Sequence, residues 1–214
     1  MAAPDAGEVY SAAMIRLNDE FVPAEKPEQS TAEIKALTRL LEQGEPAEKQ
    51  QALHKLVAAG AELALTQCLA AKNPVTVQFA TIGLWECWLN EKGPAARRRI
   101  DEGIKRMEAG DLNEAQKLFQ SLIREFPDWA EAINKQATLL YLRGLAGDSL
   151  GLCRIVVEMK PNHFGAWNGL ALCAVQMEDW ETALSAAQQA LRLQPGVRAN
   201  AEIIQLAQTK LGLC

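Results

Sequence analysis

The sequence predicts an all-α protein, an α-solenoid of stacked helical hairpins. Three observations predict it. Pro127, Pro161 and Pro195 stand 34 residues apart both times, and a fixed period of that size marks stacked copies of one supersecondary unit. Alanine and leucine dominate a chain that is 49% hydrophobic but only 6% aromatic, which suits close-packed helices. No run of alternating β-branched residues is long enough to argue for a sheet.

Residues 1–29 are expected to hold an amphipathic helix and a linker. Tyr10, Met14, Leu17 and Phe21 recur at helical spacing and make one apolar stripe over 8–21. The stripe is too short to be stable alone. Pro23 and Pro27, with charges between them, read as an extended linker.

Residues 30–95 are expected to form a helical block of two hairpins. Ser30-Thr-Ala-Glu33 is a capping box, and Ile34, Leu37, Leu40 and Leu41 give the buried face of the helix it opens. Gly44 ends that helix. Pro46 suits the first turn of the second, where Leu53, Leu56 and Val57 face inward. A short third helix covers 61–71. Asn73-Pro74 then caps a fourth, whose Val77, Ile82, Leu84, Trp85, Trp88 and Leu89 leave little polar circumference. Such a helix is buried on several sides.

From residue 96 the period takes over, with units 96–129, 130–163 and 164–197. The third unit has Trp167, Leu170 and Ala171 in its first helix and Ala183 and Ala190 in its second. Large residues fill the space between helices, small ones let backbones approach, and the proline stops the second helix. This resembles the tetratricopeptide repeat, with W-x-x-L-(G/A) in helix A and small residues where helix B crosses it. The first unit carries Gly103, Gly110-Asp111, Ala115, Phe119 and Pro127 at the family's positions, with Arg99 and Glu102 departing from the usual Trp and Leu. The second carries Ala137, Gly144 and Pro161, and departs at Ile133, Gln136, Ser149 and Val156. After Pro195, residues 198–212 form a C-terminal capping helix with Ile203, Ile204, Leu206 and Ala207 on or near its inner face.

Formal charge is −5. Residues 1–95 hold 8 basic and 13 acidic groups, and 96–214 hold 14 of each, so neither half is the basic surface that nucleic acid requires. Arg97-Arg98-Arg99 is the one basic run, followed closely by Asp101 and Glu102. It reads as a solvated helix start or a contact to the acidic N-terminal block. The apolar stretches 56–71 and 77–89 are interrupted by Glu62, Gln67 and Glu86, so no membrane span is expected. Cys68, Cys87, Cys153, Cys173 and Cys214 contain no C-x-x-C pair. They read as free thiols in a reducing compartment, most of them small buried apolar residues. A cytoplasmic location is expected, or a plastid or other organelle if a targeting segment has been removed.

No catalytic, cofactor or metal site is expected. His54 and His163 lie far apart without a Cys or His at ligand spacing, and no phosphate-binding glycine motif occurs. What remains is a surface. The resemblance implies a concave groove lined by positions 2, 5, 9, 12 and 13 of each helix A. These are Arg97, Ile100, Ile104 and Met107 in unit one. In unit two they are Glu131, Asn134, Thr138, Tyr141 and Leu142. In unit three they are Asn168, Leu172, Val175 and Gln176. Asn134 and Asn168 are then amides that grip a partner's backbone, and the groove takes a helix or extended segment. Chaperone-binding relatives hold a terminal carboxylate with Lys, Asn and Arg. Here those positions are Ile100, Ile104, Gly165 and Gly169, or, starting at unit two, Asn134, Thr138, Gly169, Ala199 and Ile203. Neither register supplies the basic groups, so binding of chaperone tails is not expected. The resemblance implies a non-catalytic adaptor or scaffold for a protein or peptide. The alternative is an assembly or chaperone-like factor for a multi-subunit complex, with self-association left open.

Overall fold

A computed structural model describes residues 30–213, which contain eleven α-helices and no strand among them. The helix expected over 8–21, its linker and Cys214 lie outside the described residues. Two compact units are present, one ending at Pro94 and the other starting at Ala95.

The first unit contains α1 (Thr31–Gln43), α2 (Pro46–Ala58), α3 (Glu62–Cys68) and α4 (Pro74–Leu89). Ser30 Oγ accepts the Glu33 N–H at 3.2 Å and caps α1. Asn73 Oδ1 accepts the Val75 N–H at 2.9 Å and caps α4 ahead of Pro74. Each satisfies an N–H that the helix start leaves orphaned. Gly44 ends α1 in extended backbone (φ −71°) rather than in the left-handed conformation expected of a glycine cap. The explanation lies in Lys49. Its buried Nζ donates to the Leu41 and Glu42 carbonyls at 2.6 and 2.7 Å, satisfying the helix end from α2. Leu41, Leu53, Leu56, Leu65 and Leu84 are sealed in the core, whereas Leu40, expected there, is exposed. Gly83 is what lets α4 approach: a Cβ there would stand 2.6 Å from Leu53 Cδ1 and 3.0 Å from Leu65. Trp88 lies in the same core, its indole N–H donating to Glu62 Oε2 at 3.0 Å.

The second unit carries the repeats: α5 (Gly93–Glu108) with α6 (Leu112–Glu125), α7 (Ala130–Leu142) with α8 (Ala146–Met159), and α9 (Phe164–Gln176) with α10 (Trp180–Leu193). The last helix, α11 (Arg198–Lys210), packs on α9 and α10. From α6 onward each helix packs on the next, α5 meets α6 where Phe119 lies against Gly103, and α7 also packs on α9, so the first helices of the second and third repeats lie side by side. Gly103 admits the ring of Phe119, since a Cβ would stand 2.5 Å from its Cε1. Ala183, Ala186, Ala187 and Ala190 give α10 a flat buried face. The A-to-B turns are left-handed at Gly110 (φ 80°), Gly144 (φ 78°) and Glu178 (φ 56°). The third turn therefore forces an L side chain where the first two use glycine.

Trp167, expected to fill space between the helices, does not do so. Leu170 and Ala171 are buried, but Trp167 is half-exposed and donates its indole N–H to the Pro161 carbonyl at 2.8 Å. It covers the preceding turn. Trp129, by contrast, is fully buried just before α7 and edge-on to Phe126, and Phe119 and Phe164 are buried with it in the second unit's core.

Candidate functional site

The A helices α5, α7 and α9 carry the thirteen positions expected to line a groove. Seven of them are closed from solvent: Ile100, Ile104, Glu131, Asn134, Thr138, Asn168 and Leu172. Arg97, Met107, Tyr141 and Val175 are half-exposed, and Leu142 and Gln176 are exposed. Met107, Tyr141 and Val175 occupy one position in the last turns of three successive A helices, with Leu142 and Gln176 beside the latter two.

The buried part contains an ion pair. Glu131, entirely buried, takes Lys135 Nζ on Oε1 at 2.9 Å and His163 Nε2 on Oε2 at 2.9 Å. Asn134 Nδ2 adds a longer contact to Oε2 at 3.3 Å. The other ring nitrogen of His163, Nδ1, accepts the Ala166 N–H at 3.1 Å and caps α9. That bond places the imidazole proton on Nε2, which donates to the carboxylate. Burial pushes the Glu131 carboxyl up, but the Lys135 ammonium and the His163 hydrogen bond outweigh it and hold the group below its ordinary value. The assembly ties α7 of the second repeat to the turn that starts the third.

His163, expected to hold no site, is thus the pin of this contact. Lys135 stands four residues after Glu131, an i,i+4 pair that the sequence does display. The 32-residue link from Glu131 to His163 is visible only in the fold. Asn168 differs from Asn134: its Oδ1 is buried and has no hydrogen-bond partner among the described residues. Two residues of the basic run have partners within the second unit. Arg97 pairs with Asp101 at 2.8 Å, and Arg99 reaches Glu125 at 2.5 Å and Ser121 at 3.0 Å.

The four described thiols, Cys68, Cys87, Cys153 and Cys173, are all closed from solvent, and Cys173 Sγ donates to Ser149 Oγ at 3.2 Å. Burial, reinforced by Glu42, pushes the Cys68 thiol up to about 11. No described helix is long and apolar enough to cross a membrane.

The geometry defines a helix-pair repeat solenoid. Residues 104–128 match the family described as "Tetratricopeptide repeat". A TPR repeat-containing protein of Rhizobium etli is 31% identical over 85 residues, 40% of this chain and 42% of the relative. The chain therefore spans under half of that relative. Among solved structures, the first TPR of Spaghetti (RPAP3) bound to the HSP90 peptide SRMEEVD superposes with a TM-score of 0.53 at 14% identity, covering 55% of this chain and 93% of that one. The Sgt2 TPR domain from Aspergillus fumigatus gives 0.52 at 16%, covering 56% and 80%. The chain is thus an all-α helical-repeat protein similar to tetratricopeptide-repeat proteins, with the family's own pattern matched over residues 104–128.

Proposed function

We propose that the repeat unit is a non-catalytic protein-binding module that holds a helical or extended partner segment across its A helices. One observation carries the reading: Met107, Tyr141 and Val175 present half-exposed side chains from equivalent positions of α5, α7 and α9. α7 packs on α9, and neighbouring packed helices lie about 8–10 Å apart, so Tyr141 and Val175 span about two or three residues of extended chain. Leu142, about half exposed at 49%, widens the apolar strip, and Gln176 supplies an amide at its end. The buried Glu131–Lys135–His163 assembly lies among the groove positions and stiffens α7 against α9, which lowers the ordering cost of binding. Asn168 Oδ1 supplies an acceptor for a backbone N–H that reaches it.

The peptide named for the RPAP3 domain is a ligand of that domain. In this chain the positions that the resemblance gives to a carboxylate clamp hold Ile100 and Ile104, both buried, and the buried glycines Gly165 and Gly169. An apolar segment fits the strip better than an acidic tail. Holding one subunit during assembly of a larger complex is the narrower form of the same reading.

The test is recovery of partners on residues 95–214 within the full chain, mapping of the bound peptide, and its titration against Tyr141→Ala and Val175→Asp. Each variant should weaken the peptide by about tenfold or more with unchanged helical content. Full affinity in both variants overturns the assignment of the strip.

A further inference from the structure

Three B helices occupy equivalent places in the three repeats, which makes each a control for the others. At four successive outward positions α6 carries Asn113, Lys117, Ser121 and Glu125, and α10 carries Glu181, Ser185, Gln189 and Leu193. The same positions in α8 are Gly147, Gly151, Ile155 and Met159. Ile155 is 44% exposed and Met159 38%. The middle repeat alone turns an apolar face to solvent, and Met177, 50% exposed, extends it at one end. Its methyl lies 3.9 Å from where a Cβ on Gly147 would stand.

The two glycines sharpen the point. Glycine inside a helix is destabilising, and it persists where a neighbouring group comes too close to leave room for a Cβ. Gly83 and Gly103 meet that condition within the chain. A Cβ on Gly151 would meet nothing within 4 Å, and one on Gly147 would meet only the Met177 methyl. Nothing in the described residues requires either glycine.

We infer that α8 is a self-association surface on which a second copy of this chain packs its own α8 antiparallel, crossing at Gly151. A two-fold axis there levels Gly147 with Ile155 of the other copy, so each isoleucine enters the hollow that the glycines leave. It also levels the exposed Asp148 with the exposed Arg154 of the other copy, twice. A parallel pairing sets Asp148 against Asp148 and isoleucine against isoleucine. The complementarity of charge and shape selects the antiparallel, isologous arrangement. A single helix pair is at the small end of specific interfaces, so the dimer is weak and depends on concentration.

Sedimentation equilibrium of the full chain, over about two decades of concentration reaching high micromolar, should show a reversible monomer–dimer equilibrium. Ile155→Glu should weaken it by about tenfold or more. Gly151→Ala separates interface from fold: it should weaken the dimer while raising the monomer's melting temperature by about 2–4 °C, because the added methyl meets only solvent and favours the helix. A monomer at every concentration overturns the proposal, as does a dimer indifferent to both substitutions. A fall in the monomer's melting temperature with Gly151→Ala overturns its premise, because the glycine is then required by the chain's own packing.

Discussion

Replacing Glu131 with alanine removes the carboxylate that both Lys135 Nζ and His163 Nε2 approach at 2.9 Å. The ammonium and the imidazole stay where burial leaves them. Breaking a buried pair by deleting one partner costs about 3–5 kcal/mol. The lysine side chain retains 9% exposure and can turn partly toward water, so the lower end, about 3 kcal/mol, is expected. That corresponds to a change on the order of 100-fold in an opening equilibrium. Because the chain packs as two units, a single melting curve would mix their responses. Hydrogen exchange of the α7 and α9 amides measures the effect locally, with α2 and α4 as internal controls. The pH dependence follows from the direction of the shift. The folded-state value lies below the ordinary 4.5, so the contribution is complete above that pH and is lost as pH falls through the lower folded value. Wild type and Glu131→Ala should differ at neutral pH and converge in acid. A protection change below about fivefold at pH 7 would refute the claim that this buried pair couples the second and third repeats.

Four further outcomes are expected. Trp129→Ala should cost about 3–5 kcal/mol, as deletion of a buried aromatic does, and Trp167→Ala less, since that ring is half-exposed; chemical denaturation followed by circular dichroism compares them. Gly103→Ala should destabilise the first repeat by about 1–3 kcal/mol, because the new methyl overlaps the Phe119 ring; the same melts read it. Glu178→Gly should stabilise by about 1 kcal/mol by relieving a left-handed L residue, and a lower unfolding midpoint would contradict the turn geometry. In a Cys214→Ser background, the four described cysteines should resist a thiol reagent at pH 8 until denaturant is added, with Cys68 slow even in partly opened states.

The sequence by itself determined the repeat. Prolines at a 34-residue spacing, the Ser30 and Asn73 caps and the small residues of α10 are local or periodic signals. Each acts through backbone geometry or through which face of a helix can be approached, and both are written in short windows. The expected groove positions came from the family resemblance. Their exposure did not, because solvent access depends on what surrounds a helix, and seven of the thirteen are closed. Partnerships across distance belong to tertiary structure as well. Lys49 reaches the carbonyls that end α1 from the next helix, so Gly44 has no need to turn left-handed. Glu131 finds His163 only when the third repeat stacks on the second. The burial of Trp129 and the half-exposure of Trp167 have the same cause: a ring one position before a helix and a ring inside it differ in burial through the direction each side chain takes from the packed backbone.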